Sequence, residues 1–136
     1  MGRVYYNNGL HYRLFYRYES LDELKNYINN ICDIELLNEI DSYVTPLHVL
    51  IDTITVSSNM KVQITDDTVE IIKLLLMKGA SPLIKSEYIY GRNMNGLQLI
   101  EYFIEVCQQN TNEYNNQSLK KLYEIINYMK FVSSNL

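Results

Sequence analysis

Residues 45–51 read TPLHVLI. The Thr45 hydroxyl is placed to cap a helix, and Pro46 suits the first helical position, where its missing N–H costs no hydrogen bond. The five residues that follow are apolar apart from His48, one of only two histidines in the chain. The stretch poses a choice. Either His48 is a chemical group presented at a helix start, or it belongs to the device that builds that start.

The flanking sequence is helical on both sides. In DDTVEIIKLLLMKGASP (66–82), Asp67 is the expected N-cap with Glu70 as box partner, and Val69, Ile72, Leu75 and Leu76 form an apolar face. Gly79 provides a left-handed C-cap and Pro82 bars continuation, which predicts a helix over 68–78. In SLDELKNYINN (20–30), Ser20 caps and Glu23 is its partner, with Leu21, Leu24, Tyr27 and Ile28 on the buried side. Further helices are expected in NNGLHYRLFYRY (7–18), TPLHVLIDTI (45–54), NGLQLIEYFIEVCQQ (95–109) and QSLKKLYEIINYMKFV (117–132). KVQIT (61–65) alternates in polarity but lies between polar flanks, so it reads as loop. The expectation is six helices and no strand.

Composition narrows the function. At 136 residues and 47% hydrophobic, the chain is sized for one domain with a real core. A net charge of −4 argues against a nucleic-acid binder, which needs a basic face. Cys32 and Cys107 are far apart and lack the spacing of a disulfide framework or a zinc site, which suits a reducing compartment. No apolar run approaches the length of a membrane span, and no secretory leader is legible. Gly2 is followed at the diagnostic position by Tyr6, so the myristoylation pattern fails. Thirteen tyrosines, one alanine (Ala80) and no tryptophan point to an AT-rich coding source.

The paired helices invite a search for internal repetition. Leu10–His11, Leu47–His48 and Leu97–Gln98 each open a short first helix that is followed by a Leu/Ile-rich second helix. Three units result, at roughly 8–37, 41–85 and 91–132. One repeat rule then accounts for both histidines.

TPLH at 45–48, followed by VEIIKLLLMKGASP at 69–82, resembles the ankyrin repeat. The resemblance implies an all-α fold, a short solenoid of about three helix-turn-helix repeats forming one domain over 1–136. The central unit carries the match, and the outer two are degenerate caps. It implies structural duties for Thr45, Pro46, Leu47, His48 and Gly79: Thr45 and His48 exchange hydrogen bonds across the first turn, and Gly79 reverses the chain. Leu47, Ile71, Leu74 and Leu75 would face the neighbouring units. Where the family has a Gly and an Ala pair, this chain has Val44 and then Leu50 and Ile51, whose bulk should separate the paired helices or alter their angle. Residues 52–68 exceed the family's short turn and read as a longer first helix or a projecting loop. CQQNTNEYNNQ (107–117) reads as a similar insertion.

Bulky, irregular repeats of this kind resemble the ankyrin proteins of large DNA viruses, poxviruses especially. That likeness implies a non-enzymatic protein-interaction module that modulates host defence, for example as an I-kappa-B-like inhibitor of NF-kappa-B, in the host cytoplasm with the nucleus as a second compartment. The partner would be a host signalling protein, with neither nucleic acid nor membrane involved. No catalytic, metal or cofactor residue is assigned. Protein contacts are expected from hairpin tips, at Asp41, Ser42 and Tyr43 and at Glu87, Tyr88, Tyr90 and Arg92. The tyrosine-rich start (Tyr5, Tyr6, Tyr12, Phe15, Tyr16, Tyr18) reads as a cap on the stack, with an aromatic contact surface as the alternative. The competing readings are a self-assembling chain, a ubiquitin-ligase adaptor, and an enzyme whose pocket opens at His48.

Overall fold

The computed structural model describes residues 9–16, 20–31, 33–41, 43–86 and 93–134. Among these lie seven helices and two short strands. The helices are α1 (Gly9–Tyr16), α2 (Leu21–Asn29), α3 (Ile34–Leu37), α4 (Pro46–Ile51), α5 (Asp66–Lys78), α6 (Gly96–Gln109) and α7 (Glu113–Ser134). Strands β1 (Thr55–Val56) and β2 (Val62–Gln63) pair antiparallel between α4 and α5, with Thr55 opposite Gln63. The chain is mostly helical, as expected, with one more helix and one more hairpin than the sequence suggested.

The helices form two rows. α4 packs between α1 and α6, while α5 packs between α2 and α7. The rows meet where α4 packs on α5 and α6 on α7. Leu47, Ile71, Leu74 and Leu75 are all buried. Leu50 and Ile51 are fully buried as well. Room for Ile51, and for Leu47 beside it, comes from Gly96, the first residue of α6. A Cβ there would sit 3.1 Å from Leu47 Cδ2 and 3.2 Å from Ile51 Cδ1. Large side chains on one helix are matched by the absence of one on the next.

Caps explain most helix starts. Ser20 accepts from the Glu23 amide, and Thr45 from the His48 amide with Pro46 inside the first turn. Asn95 and Gln98 form a reciprocal capping box at α6. Gly79 ends α5 at φ 119°, a conformation L side chains rarely adopt.

Several expectations are corrected. α5 begins at Asp66, capped by Thr65 rather than Asp67, because the Thr65 hydroxyl accepts from the Thr68 amide. Glu70 serves instead in an ion pair with Lys25 of α2 at 2.6 Å. KVQIT is not a loop, since it contains β2, with Val62 and Ile64 buried. The stretch 52–68 is therefore neither a longer helix nor a projecting loop. It is a hairpin laid against α6 and α7. The residues 107–117 form no loop insertion either: α6 runs to Gln109 and α7 starts at Glu113, so the length went into longer helices.

Candidate functional site

The TPLH stretch builds the start of α4 and ties it to the residue before α6. The Nε2–H of His48 donates to the Met94 carbonyl at 2.9 Å, and Nδ1 accepts from the Thr45 hydroxyl at 2.7 Å. A carbonyl oxygen can only accept, which fixes the proton on Nε2. His48 is 2% exposed. His11, fully buried, donates from Nε2 to the Val44 carbonyl at 2.9 Å. The two bonds are equivalent in register. Val44 immediately precedes the Thr45 cap of α4, and Met94 immediately precedes the Asn95 cap of α6. Each imidazole thus ties its own helix, α1 or α4, to the residue just before the next cap.

Burial pushes both imidazoles below their ordinary value. The Val44 carbonyl and the carboxylates of Asp41 and Glu39 oppose this at His11, and the Met94 carbonyl opposes it at His48. With both ring nitrogens engaged, His48 has no lone pair left for a substrate.

Asp41 and Val44 close a first hairpin through reciprocal bonds, at 2.9 and 3.2 Å. Further along, Lys85 and Asn95 form an isolated bridge, and the Ser86 amide donates to the Met94 carbonyl at 3.1 Å. Of the expected contact residues, Asp41 lies at the base of the first hairpin and Tyr43 at its tip, 55% exposed. Tyr43 has φ 77°, a position that glycine or asparagine fills at lower cost. Ser42, Glu87, Tyr88, Tyr90 and Arg92 lie outside the described residues, as do Tyr5, Tyr6, Tyr18, Cys32 and the side chains of Phe15 and Tyr16. Tyr12 is 47% exposed, so it leaves much of its ring in water.

Two residues that sequence reasoning missed organise the opposite edge. Asn115 of α7 is fully buried. Its Oδ1 accepts from the Val62 amide at 3.1 Å, and its Nδ2 donates to the Met60 and Asn110 carbonyls at 3.0 and 2.8 Å. Ser118, one turn on, donates to the Val62 carbonyl at 2.7 Å. Side chains of α7 thereby satisfy the free edge of β2. No signal marked Asn115, because it sits among other asparagines in NTNEYNN (110–116).

A groove of about 600 Å³ crosses α2, α5 and α7. Its rim carries the Lys25–Glu70 and Lys73–Glu124 pairs, the latter at 2.9 Å, and its lining includes Met77 and Tyr128. A second groove of about 390 Å³ lies between α1, α2 and α3, and His48 lines neither. Among the described residues no group of three or more His, Cys, Asp or Glu could hold a metal ion. No helix among them is long and apolar enough to cross a membrane. Comparison with family models, with curated proteins and with solved structures finds no match to this chain.

Proposed function

We propose that the chain is a non-enzymatic protein-interaction module of ankyrin type whose contact surface is the row of hairpin tips. The observation that carries the reading is the pair of equivalent imidazole bonds, His11 to Val44 and His48 to Met94, each of which joins one helix to the residue just before the next helix cap. The Thr45–His48 exchange and the two rows of side-by-side helices support the same reading. Tyr43 supports the choice of surface. It leaves more than half of a large amphipathic side chain exposed, from a backbone conformation that tyrosine does not favour.

The likeness to viral ankyrin proteins makes a host signalling protein the partner, with NF-kappa-B subunits the first to test. The experiment is a binding titration of the full chain against purified Rel-type subunits, with Tyr43→Ala as comparison. Saturable binding that Tyr43→Ala weakens about tenfold, the scale of a typical aromatic anchor, supports the reading. Absence of binding removes NF-kappa-B as partner. Binding that is indifferent to Tyr43 removes the first hairpin tip from the surface.

A further inference from the structure

Among the described residues only two other than glycine have a left-handed backbone, Tyr43 and Met60. Met60 is the second case of the same economy, at the other end of α4. The β1–β2 loop is closed by the Met60 amide donating to the Ser57 carbonyl and the Ser57 amide donating to the Lys61 carbonyl, both at 2.9 Å. This is a tight turn whose last residue must adopt positive φ, and glycine is the usual occupant. Here a methionine occupies it, at φ 63° and 41% exposed. The turn does not need that side chain, and the core does not use it.

The loop is nevertheless held hard from below. Buried Asn115 grips the Met60 carbonyl and the Val62 amide, and Ser118 grips the Val62 carbonyl. An exposed tip on a buried polar anchor is preorganised, which lowers the ordering cost of binding. Beside Met60, exposed Lys61 reaches over the Tyr114 ring, 5.7 Å from its centroid, and Tyr114 is itself 41% exposed. Lys61 is the only charged residue between Asp52 and Asp66. The nearest opposite charge in sequence beside Tyr114 is Glu113, also exposed, and no ion pair joins it to Lys61.

We infer that the tip of the inserted hairpin, with Met60, Lys61 and Tyr114, is a second protein-contact surface, which takes a peptide segment carrying a carboxylate next to a large apolar side chain. Met60 and Tyr114 supply the apolar contact, and Lys61 the charge that the carboxylate complements. The surface shares no residue with the first hairpin. It stands whether or not the ankyrin reading does.

The test uses a random linear peptide library displayed on phage and selected against the immobilised full chain. Peptides with Asp or Glu adjacent to Leu, Met or Phe are expected to be enriched. As synthetic peptides they should bind the wild type and lose tenfold or more in affinity to Met60→Ala and to Lys61→Glu, while Tyr43→Ala leaves them unchanged. Met60→Gly, which suits the backbone, should keep or raise the thermal midpoint and still lose the peptide. Failure to enrich, enrichment of basic peptides, or binding indifferent to Met60 and Lys61 would each overturn the inference. Weakened binding accompanied by unfolding of every variant would do so too, because exposed side chains of a preorganised tip cannot be what holds the fold.

Discussion

Replacing Asn115 by alanine should cost the fold about 2–4 kcal/mol, on the scale set for unsatisfied buried hydrogen-bonding groups. The substitution removes three side-chain hydrogen bonds, to Val62, Met60 and Asn110. The losses are unequal. Val62 is fully buried and its amide has no water to turn to, so its N–H carries most of the cost. The Met60 and Asn110 carbonyls lie nearer the surface, and Asn110 O still accepts from Asn112 Nδ2. Urea unfolding gives the total, and amide hydrogen exchange locates it. The Val62 amide should lose protection beyond the global change, whereas amides of α2 should follow the global change alone. Asn115→Asp is a sharper version. Its carboxylate can still accept from Val62 but faces two carbonyl oxygens with no proton to donate. It should be worse than alanine at pH 7 and recover as the pH falls, because the carboxylic acid regains a donor. A cost below about 0.5 kcal/mol for Asn115→Ala, within the range of ordinary surface changes, with Val62 still protected, would mean that α7 does not hold the inserted hairpin.

Other consequences can be measured the same way. Gly79→Ala should destabilise by roughly 1–2 kcal/mol, the cost of a left-handed backbone with a Cβ, since at 3.4 Å from Ile34 the methyl itself fits; an unchanged urea midpoint would contradict the φ of 119°. Gly96→Val should cost about 1–3 kcal/mol by overpacking Leu47 and Ile51, and Ile51→Ala in the same chain should recover part of it, read as a negative coupling in a double-mutant cycle. Burial lowers the folded-state values of His11 and His48, so the unfolded chain binds more protons below the unfolded value of about 6.5. Their contribution to stability is complete above that pH and is lost as the pH falls through the depressed folded values. Urea midpoints at pH 7.5, 6 and 5 should therefore decline, and a rise on acidification over that range would refute the buried neutral imidazoles. Asp52, whose carboxyl burial raises, acts in the opposite direction but in the carboxylate range.

How much of this was legible in the sequence depends on the range of the interaction. Thr45, Pro46 and His48 were readable because a cap, a first-turn proline and its hydrogen-bond partner lie within four residues. Ser20, Gly79 and the apolar faces of α2 and α5 were readable for the same reason. The bond from His48 to Met94 spans 46 positions, and only the repeated Leu-His pair hinted at it. The hairpin at 55–63 was missed because its pairing partner is five residues of loop away and its buried face is supplied by α7, more than fifty positions downstream. Two residues per strand carry too little alternation to outweigh polar flanks. The N-cap of α5 was misplaced by two because Thr65, Asp66 and Asp67 are all competent caps, and local chemistry does not rank them. Of the proposed contact residues, Tyr43 was picked for its place in a hairpin, but nothing local distinguished Met60, which stands out only by its backbone angle.

The positions where the chain declines a more comfortable residue separate structure from function. In Gly79 and Gly96 the backbone or the packing demands glycine, and glycine is present. At Tyr43 and Met60 the backbone asks for glycine or asparagine, and a large side chain stands there in solvent. A chain selected for folding alone would fill all four places the same way, since the left-handed conformation costs a β-carbon-bearing residue about 1 kcal/mol or more. One of the two exceptions precedes α4 in the chain and the other follows it, each on a hairpin held by a buried polar side chain, His11 under one and Asn115 under the other. Rigid bases under strained, exposed tips lower the ordering cost of binding, which is the property the two proposed contact surfaces require.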